Sequence, residues 1–157
     1  MQTSDRDALK ERYGFREWAG QSTGPGDRAL RNVVFTGNEL PGLRLDRVDR
    51  REAAEPPRLT TFWRRGDAVV RVDVFECASR DAAHEYLIDA LNEFESAGIG
   101  RRTDLNVGEV AFGTPSVVLF ARGNLVVLVR KATPQPEPVT PIAQAIDAIV
   151  LGRLRTG

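Results

Sequence analysis

Cys77 and His84 are the side chains of this sequence best suited to chemistry, and each is the only one of its type. Glu76, Asp81 and Glu85 stand close by in the chain. A thiol beside an imidazole is the starting point of a Cys–His nucleophile pair. Both are also metal ligands, but a structural zinc site draws on four ligands and two soft ones are too few. The surrounding pattern places Cys77 at the end of a strand and His84 in the first turn of a helix. Nothing there would lower the thiol pKa. We expect a small buried thiol and a histidine on a helix surface. No Ser-His-Asp elbow, Walker loop or histidine-rich motif occurs, and with one histidine most hydrolytic and metal-assisted reactions lack their usual participant. The expectation is no catalytic residue, no metal and no cofactor.

Three other patterns read as structure. Arg65-Gly66-Asp67 spells an integrin-binding tripeptide, yet it falls at a hairpin tip, where Gly and Asp serve geometry. Arg122-Gly123-Asn124 repeats that design. Gly98-Ile99-Gly100 follows a helix rather than opening one, so the dinucleotide fingerprint is absent. Arg44, Asp46, Arg47, Asp49, Arg50 and Arg51 alternate in sign along one strand, which suits a solvated edge that discourages pairing with another chain.

The chain has 157 residues with 22 basic and 22 acidic side chains, a formal net charge of zero. That length fits one domain, 1–157, able to bury a full core. The balanced charge argues against broad binding to nucleic acid or anionic membrane. A single cysteine leaves no intramolecular disulfide and no indication of redox compartment. No apolar run approaches the roughly 18 residues of a membrane helix, and the start, Met1 to Asp7, lacks the apolar core of a signal peptide. The expected location is cytoplasmic, with a mature exported domain as the alternative.

The elements that would position these residues occur twice. Residues 65–72 match residues 122–129, each after an apolar run, Phe62-Trp63 or Leu119-Phe120. Each is followed by a similar helical tetrad, Ile88-Asp89-Ala90-Leu91 or Ile146-Asp147-Ala148-Ile149. Residues 1–36 form an N-terminal helical appendage, with a helix over 4–19 facing Leu9, Tyr13 and Trp18 inward. The first half, 43–97, reads as strands over 43–51, 58–65 and 68–77, then a helix capped by Ser79 with the stripe Ala83, Leu87, Ala90, Leu91, Phe94. The second half, 105–154, reads as strands over 107–112, 116–121 and 125–132. It closes with a helix capped by Thr140, with Pro141 at its first position. The predicted fold is α+β: one mostly antiparallel sheet of about six strands in the order βββα-βββα, both helices on one face, plus the N-terminal helix.

The two hairpins differ on their second side. Val69, Arg71, Asp73 and Phe75 form a mixed row, whereas Val117, Leu119, Val126 and Leu128 are apolar throughout, opposite the apolar set Val118, Phe120, Leu125, Val127 and Val129. Four such side chains left in water would forgo about 1.5–3 kcal/mol each and make a patch that monomers rarely tolerate. Candidate covers are the chain's own N-terminal segment with Trp18 and Phe35, a second copy in a homodimer, or a small apolar ligand.

Residues 107–112, with the V-G-E-x-A turn, and 118–127, with Phe120, Arg122, Asn124 and Val126 spaced as F-x-R-x-N-x-V, resemble uncharacterised bacterial domains often found in exported or lipoprotein-type proteins. The resemblance spans about residues 105–150 and implies an α+β accessory domain without assigned catalysis. The chain departs from such proteins in lacking a lipobox cysteine. The sequence thus points to a non-catalytic binding domain that self-associates or docks a protein partner through Val117, Leu119, Val126 and Leu128 of hairpin 116–132. The alternative is a ligand-binding or enzymatic domain with a pocket between sheet and helices lined by Trp63, Phe75, Tyr86 and Phe94.

Overall fold

Two meanders meet along their last strands to make the sheet. β1 (Arg44–Arg51), β2 (Arg58–Arg65) and β3 (Ala68–Glu76) form the first. β5 (Val110–Thr114), β6 (Val117–Arg122) and β7 (Leu125–Lys131) form the second, and a two-residue β4 (Gly100–Arg101) borders β5. The order is β1-β2-β3-β7-β6-β5-β4 with every pairing antiparallel. This is the computed structural model of the chain; it describes residues 3–13, 35, 40, 42–94, 100–101, 110–114, 117–122, 124–133 and 139–156. Helices α1 (Thr3–Arg12), α2 (Arg80–Phe94) and α3 (Thr140–Thr156) complete the fold.

Local chemistry explains the boundaries. Gly66 takes φ +57° in the β2–β3 turn, a left-handed conformation that glycine adopts without strain. Ser79 caps α2, its Oγ accepting from the Ala82 N–H at 3.0 Å. Helix α3 begins at Thr140, and the Val139 carbonyl accepts from the Ala143 N–H at 2.9 Å, so the cap falls one residue earlier than predicted. Helix α1 ends at Arg12 rather than at residue 19, and Trp18 lies outside the described residues.

Side chains on a strand alternate between faces, and two clusters divide accordingly. On the first face Leu59, Trp63, Val70, Val72, Val74, Val118, Phe120, Val127 and Val129 pack with Val139, Ile142, Ala143 and Ile146 of the α3 region. Phe35 meets Trp63 there edge to face, with ring centroids 5.7 Å apart. On the second face Val110, Phe112, Val117, Leu119, Ala121, Val126 and Leu128 pack under Ala83, Leu87, Ile88 and Leu91 of α2, with Tyr13 against Phe112 at 5.4 Å.

The helices therefore lie on opposite faces, which corrects the expectation that both share one. The reason was visible in the hairpin itself: β6–β7 is apolar on both sides, and each row needs its own cover. Helix α2 lies over β5–β7, and among the described residues no helix lies over the second face of β1–β3. That half-face carries the mixed row.

Candidate functional site

The hairpin row proposed from sequence as an interaction surface is interior. Val117 is 8% exposed, Leu119 0%, Val126 1% and Leu128 8%. Among the described residues helix α2 and Tyr13 pack on this row, so the cover is intramolecular, and neither a second copy nor a ligand is needed to hide it. The aromatic pocket is corrected too. Trp63 is fully buried on the first face, while Phe75 and Tyr86 pack at 4.9 Å on the second. The sheet separates them, so they cannot line one cavity. Phe94 ends α2, and its side chain lies outside the described residues.

Cys77 closes β3 in a structural setting. Its N–H donates to the Asn124 carbonyl at 2.8 Å, and its own carbonyl accepts from Asn124 Nδ2 at 2.9 Å. Burial, reinforced by the neighbouring Glu76 charge, pushes the thiol up from 9.0 to about 11. The thiolate is the reactive form, so its population near pH 8 is roughly a hundredfold below that of a free thiol. A thiol reagent is expected to label Cys77 far more slowly in the native protein than in urea, and equal rates would contradict this. The folded pKa lies above the unfolded one, so this contribution to stability is intact below about pH 9 and is lost as pH rises towards 11. His84 is 6% exposed, in the interior rather than on the helix surface expected for it. Among the described residues no three His, Cys, Asp or Glu side chains form a group able to hold a metal ion.

The second face of β1–β3 is where polar groups converge among the described residues. Its register forms a grid. Arg44 faces Arg64, Arg47 faces Phe62, Asp49 faces Thr60, and Arg51 faces Arg58 across β1–β2. Arg71 and Asp73 follow on β3, with Arg71 directly opposite Arg130 of β7. Three cross-strand positions thus pair arginine with arginine, although the chain as a whole is neutral. Like charges directly opposed destabilise a sheet.

The grid has internal order. Asp73, 1% exposed, accepts from Thr60 Oγ1 and from both Nε and Nη2 of Arg71, at 2.9 and 3.2 Å for the arginine. The buried carboxylate is thereby paired and hydrogen-bonded, as burial of a charge requires. The guanidinium carbons of Arg71 and Arg47 stand 5.7 and 5.8 Å from the Phe62 ring centroid, within cation–π range. Arg51 bonds Asp49 at 3.1 Å. Among the described residues Arg44 and Arg47 make no ion pair, and the Nε of Arg58 is buried without a hydrogen-bond partner.

At the Gly66 end of this grid lies a shallow cleft of about 460 Å³, lined by Gly42, Leu43, Arg44, Arg64, Arg65 and Gly66. Sequence reasoning read these arginines singly, as a solvated edge and a turn. Only the register shows them stacked in opposed pairs.

Arg122 and Asn124 do structural work. Arg122 forms two bonds to Asp147 of α3, Nε to Oδ1 at 3.0 Å and Nη2 to Oδ2 at 2.7 Å. Asn124 ties the β6–β7 turn to Cys77. Comparison of the chain with family models, curated proteins and solved structures gives no match.

Proposed function

We propose that this protein is a non-catalytic binding domain that docks an acidic segment of a partner protein on the second face of β1–β3, where Arg44, Arg47 and Arg51 are exposed. The observation that carries the reading is the set of opposed arginine pairs, Arg44 with Arg64, Arg51 with Arg58 and Arg71 with Arg130. Guanidinium forks match carboxylates in bidentate geometry, and an anion between two arginines converts their repulsion into attraction. Asp49 and Asp73 lie across the middle of the grid, between its arginine-rich ends. A nucleic-acid backbone carries a charge on every nucleotide and would have to cross that acidic row. A polypeptide with separated carboxylates need not, and this favours protein over nucleic acid.

The same reading treats the two meanders as copies of one design. Val72 pairs with Val129, and these occupy equal places in the matching stretches 65–72 and 122–129. In this view the copies share one sheet but differ in cover: α2 lies over the second copy's apolar row and not over the first copy's mixed row.

A labelled peptide of alternating aspartate and serine tests the proposal by fluorescence polarisation. Binding is expected to weaken strongly from about 0.01 M to about 1 M salt, as the screening length falls from ~30 to ~3 Å. Arg44→Ala with Arg47→Ala is expected to weaken it about tenfold with the fold intact, since neither side chain is buried. Unchanged affinity in that variant, or tighter binding of an oligothymidylate, would overturn the reading.

A further inference from the structure

We propose that the outer edge of β1 is an interface between two copies of this chain, paired antiparallel about a two-fold axis at Val48. This goes beyond the docking proposal and uses the edge of the sheet rather than its second face. β1 ends the strand order, and among the described residues no strand pairs with its outer side. The N–H and C=O groups along such an edge are a template for one more strand. Val48 stands in the middle of that edge, 50% exposed, and among the described residues it is the one exposed large apolar side chain. In a pair of identical antiparallel strands it would meet its own copy and lose much of that exposure.

Charge selects both the occupant and the register. Past the bulge between Leu45 and Arg47, residues 47–51 run in unbroken register with β2. Opposed residues of an antiparallel pair lie on one face, so a two-fold axis between identical strands falls beside one residue, which then faces its own copy. An axis at Arg47, Arg50 or Arg51 sets arginine against arginine. An axis at Asp49 opposes two aspartates and also sets Arg47 against Arg51. The axis at Val48 avoids every like-charge contact in this stretch: it sets Arg47 against the second copy's Asp49, twice, with the two valines between. Arg47 makes no ion pair among the described residues. Asp49 takes one bond, from Arg51 Nε at 3.1 Å to Oδ2, and a carboxylate has room for more acceptor contacts. The alternating signs that turn away a strand of one charge thus match a copy of themselves. The bulge keeps the shared ladder short, so the association is weak and depends on concentration.

Sedimentation equilibrium of the full chain tests this without any peptide, so its outcome leaves the docking proposal where it stands. The mean mass is expected to rise from 17.3 kDa towards twice that value as the concentration climbs from ~10 μM to ~1 mM. Arg47→Asp and Asp49→Arg, each alone, put like charges into both contacts and should weaken association by about tenfold or more. An equimolar mixture of these two variants should associate again, because one strand then carries only negative charge at the contacts and the other only positive. Val48→Lys sets two cations at the axis and should also abolish the rise in mass. A wild-type chain that stays at 17.3 kDa throughout overturns the proposal. So does a rise that the single variants leave unchanged, or a mixture of folded variants that stays monomeric. If circular dichroism shows either charge variant unfolded, Val48→Lys decides: an undiminished rise in that variant overturns the proposal, and its loss with the fold intact supports it.

Discussion

Asp147→Ala is expected to remove about 3–5 kcal/mol of stability, the usual loss when one member of a buried ion pair is deleted. Asp147 is 5% exposed on α3, and its two oxygens take two parallel bonds from Arg122 at the end of β6. Alanine leaves the guanidinium in a site that excludes water, with the acceptors of two charge-assisted bonds gone. For a domain whose whole stability lies near 5–15 kcal/mol, such a loss is large. Urea unfolding of the variant measures it. Replacing both partners together, Arg122→Met with Asp147→Leu, should restore much of the loss, because apolar neighbours can fill the site. A single-variant loss below about 1 kcal/mol would mean that water screens the pair as it does at a surface.

Trp63→Ala is expected to cost about 3–5 kcal/mol, through lost transfer energy and the cavity left behind. Trp63 is 0% exposed, sits on β2 opposite Val70, and packs against Phe35. Its Nε1–H donates to Thr61 Oγ1 at 2.9 Å, so alanine also removes the partner of a fully buried hydroxyl. Thermal unfolding is the direct check. At roughly 2–4 °C per kcal/mol for a chain of this size, the midpoint should fall by about 6–20 °C. A fall of a degree or two would contradict the placement of Trp63 in the first-face core.

Much of the sheet could be read from the sequence because its signals are local. The Gly66-Asp67 turn, the alternation of Ala68 to Val74 and the Ser79 cap each depend on a few neighbouring residues. The side on which a helix packs depends on long-range choice. Positions that match between the two similar stretches of sequence show the difference. Asp147 in the second tetrad is buried against Arg122, whereas Asp89 in the first is exposed on α2, and Arg65 reaches the Gly42 carbonyl. One helix went to each face, and no local pattern distinguished them.

The candidate site was hidden for a related reason. The second apolar row of β6–β7 needs cover, and among the described residues α2 and Tyr13 supply it. The same choice leaves β1–β3 without α2. Arg44, Arg64, Arg71 and Arg130 are far apart in sequence, and only strand register brings them into opposed pairs. Charge counted along the chain sums to zero and conceals charge gathered on one half-face.

The most direct test of the docking proposal is an amide-shift map of the full chain titrated with the aspartate–serine peptide. The account predicts shifts gathered on the second face of the first meander, at Arg47, Phe62 and Arg71, with Val118, Phe120 and Val127 on the opposite face unmoved. Shifts centred on the first face or on β5–β7, or none at peptide excess, would contradict it.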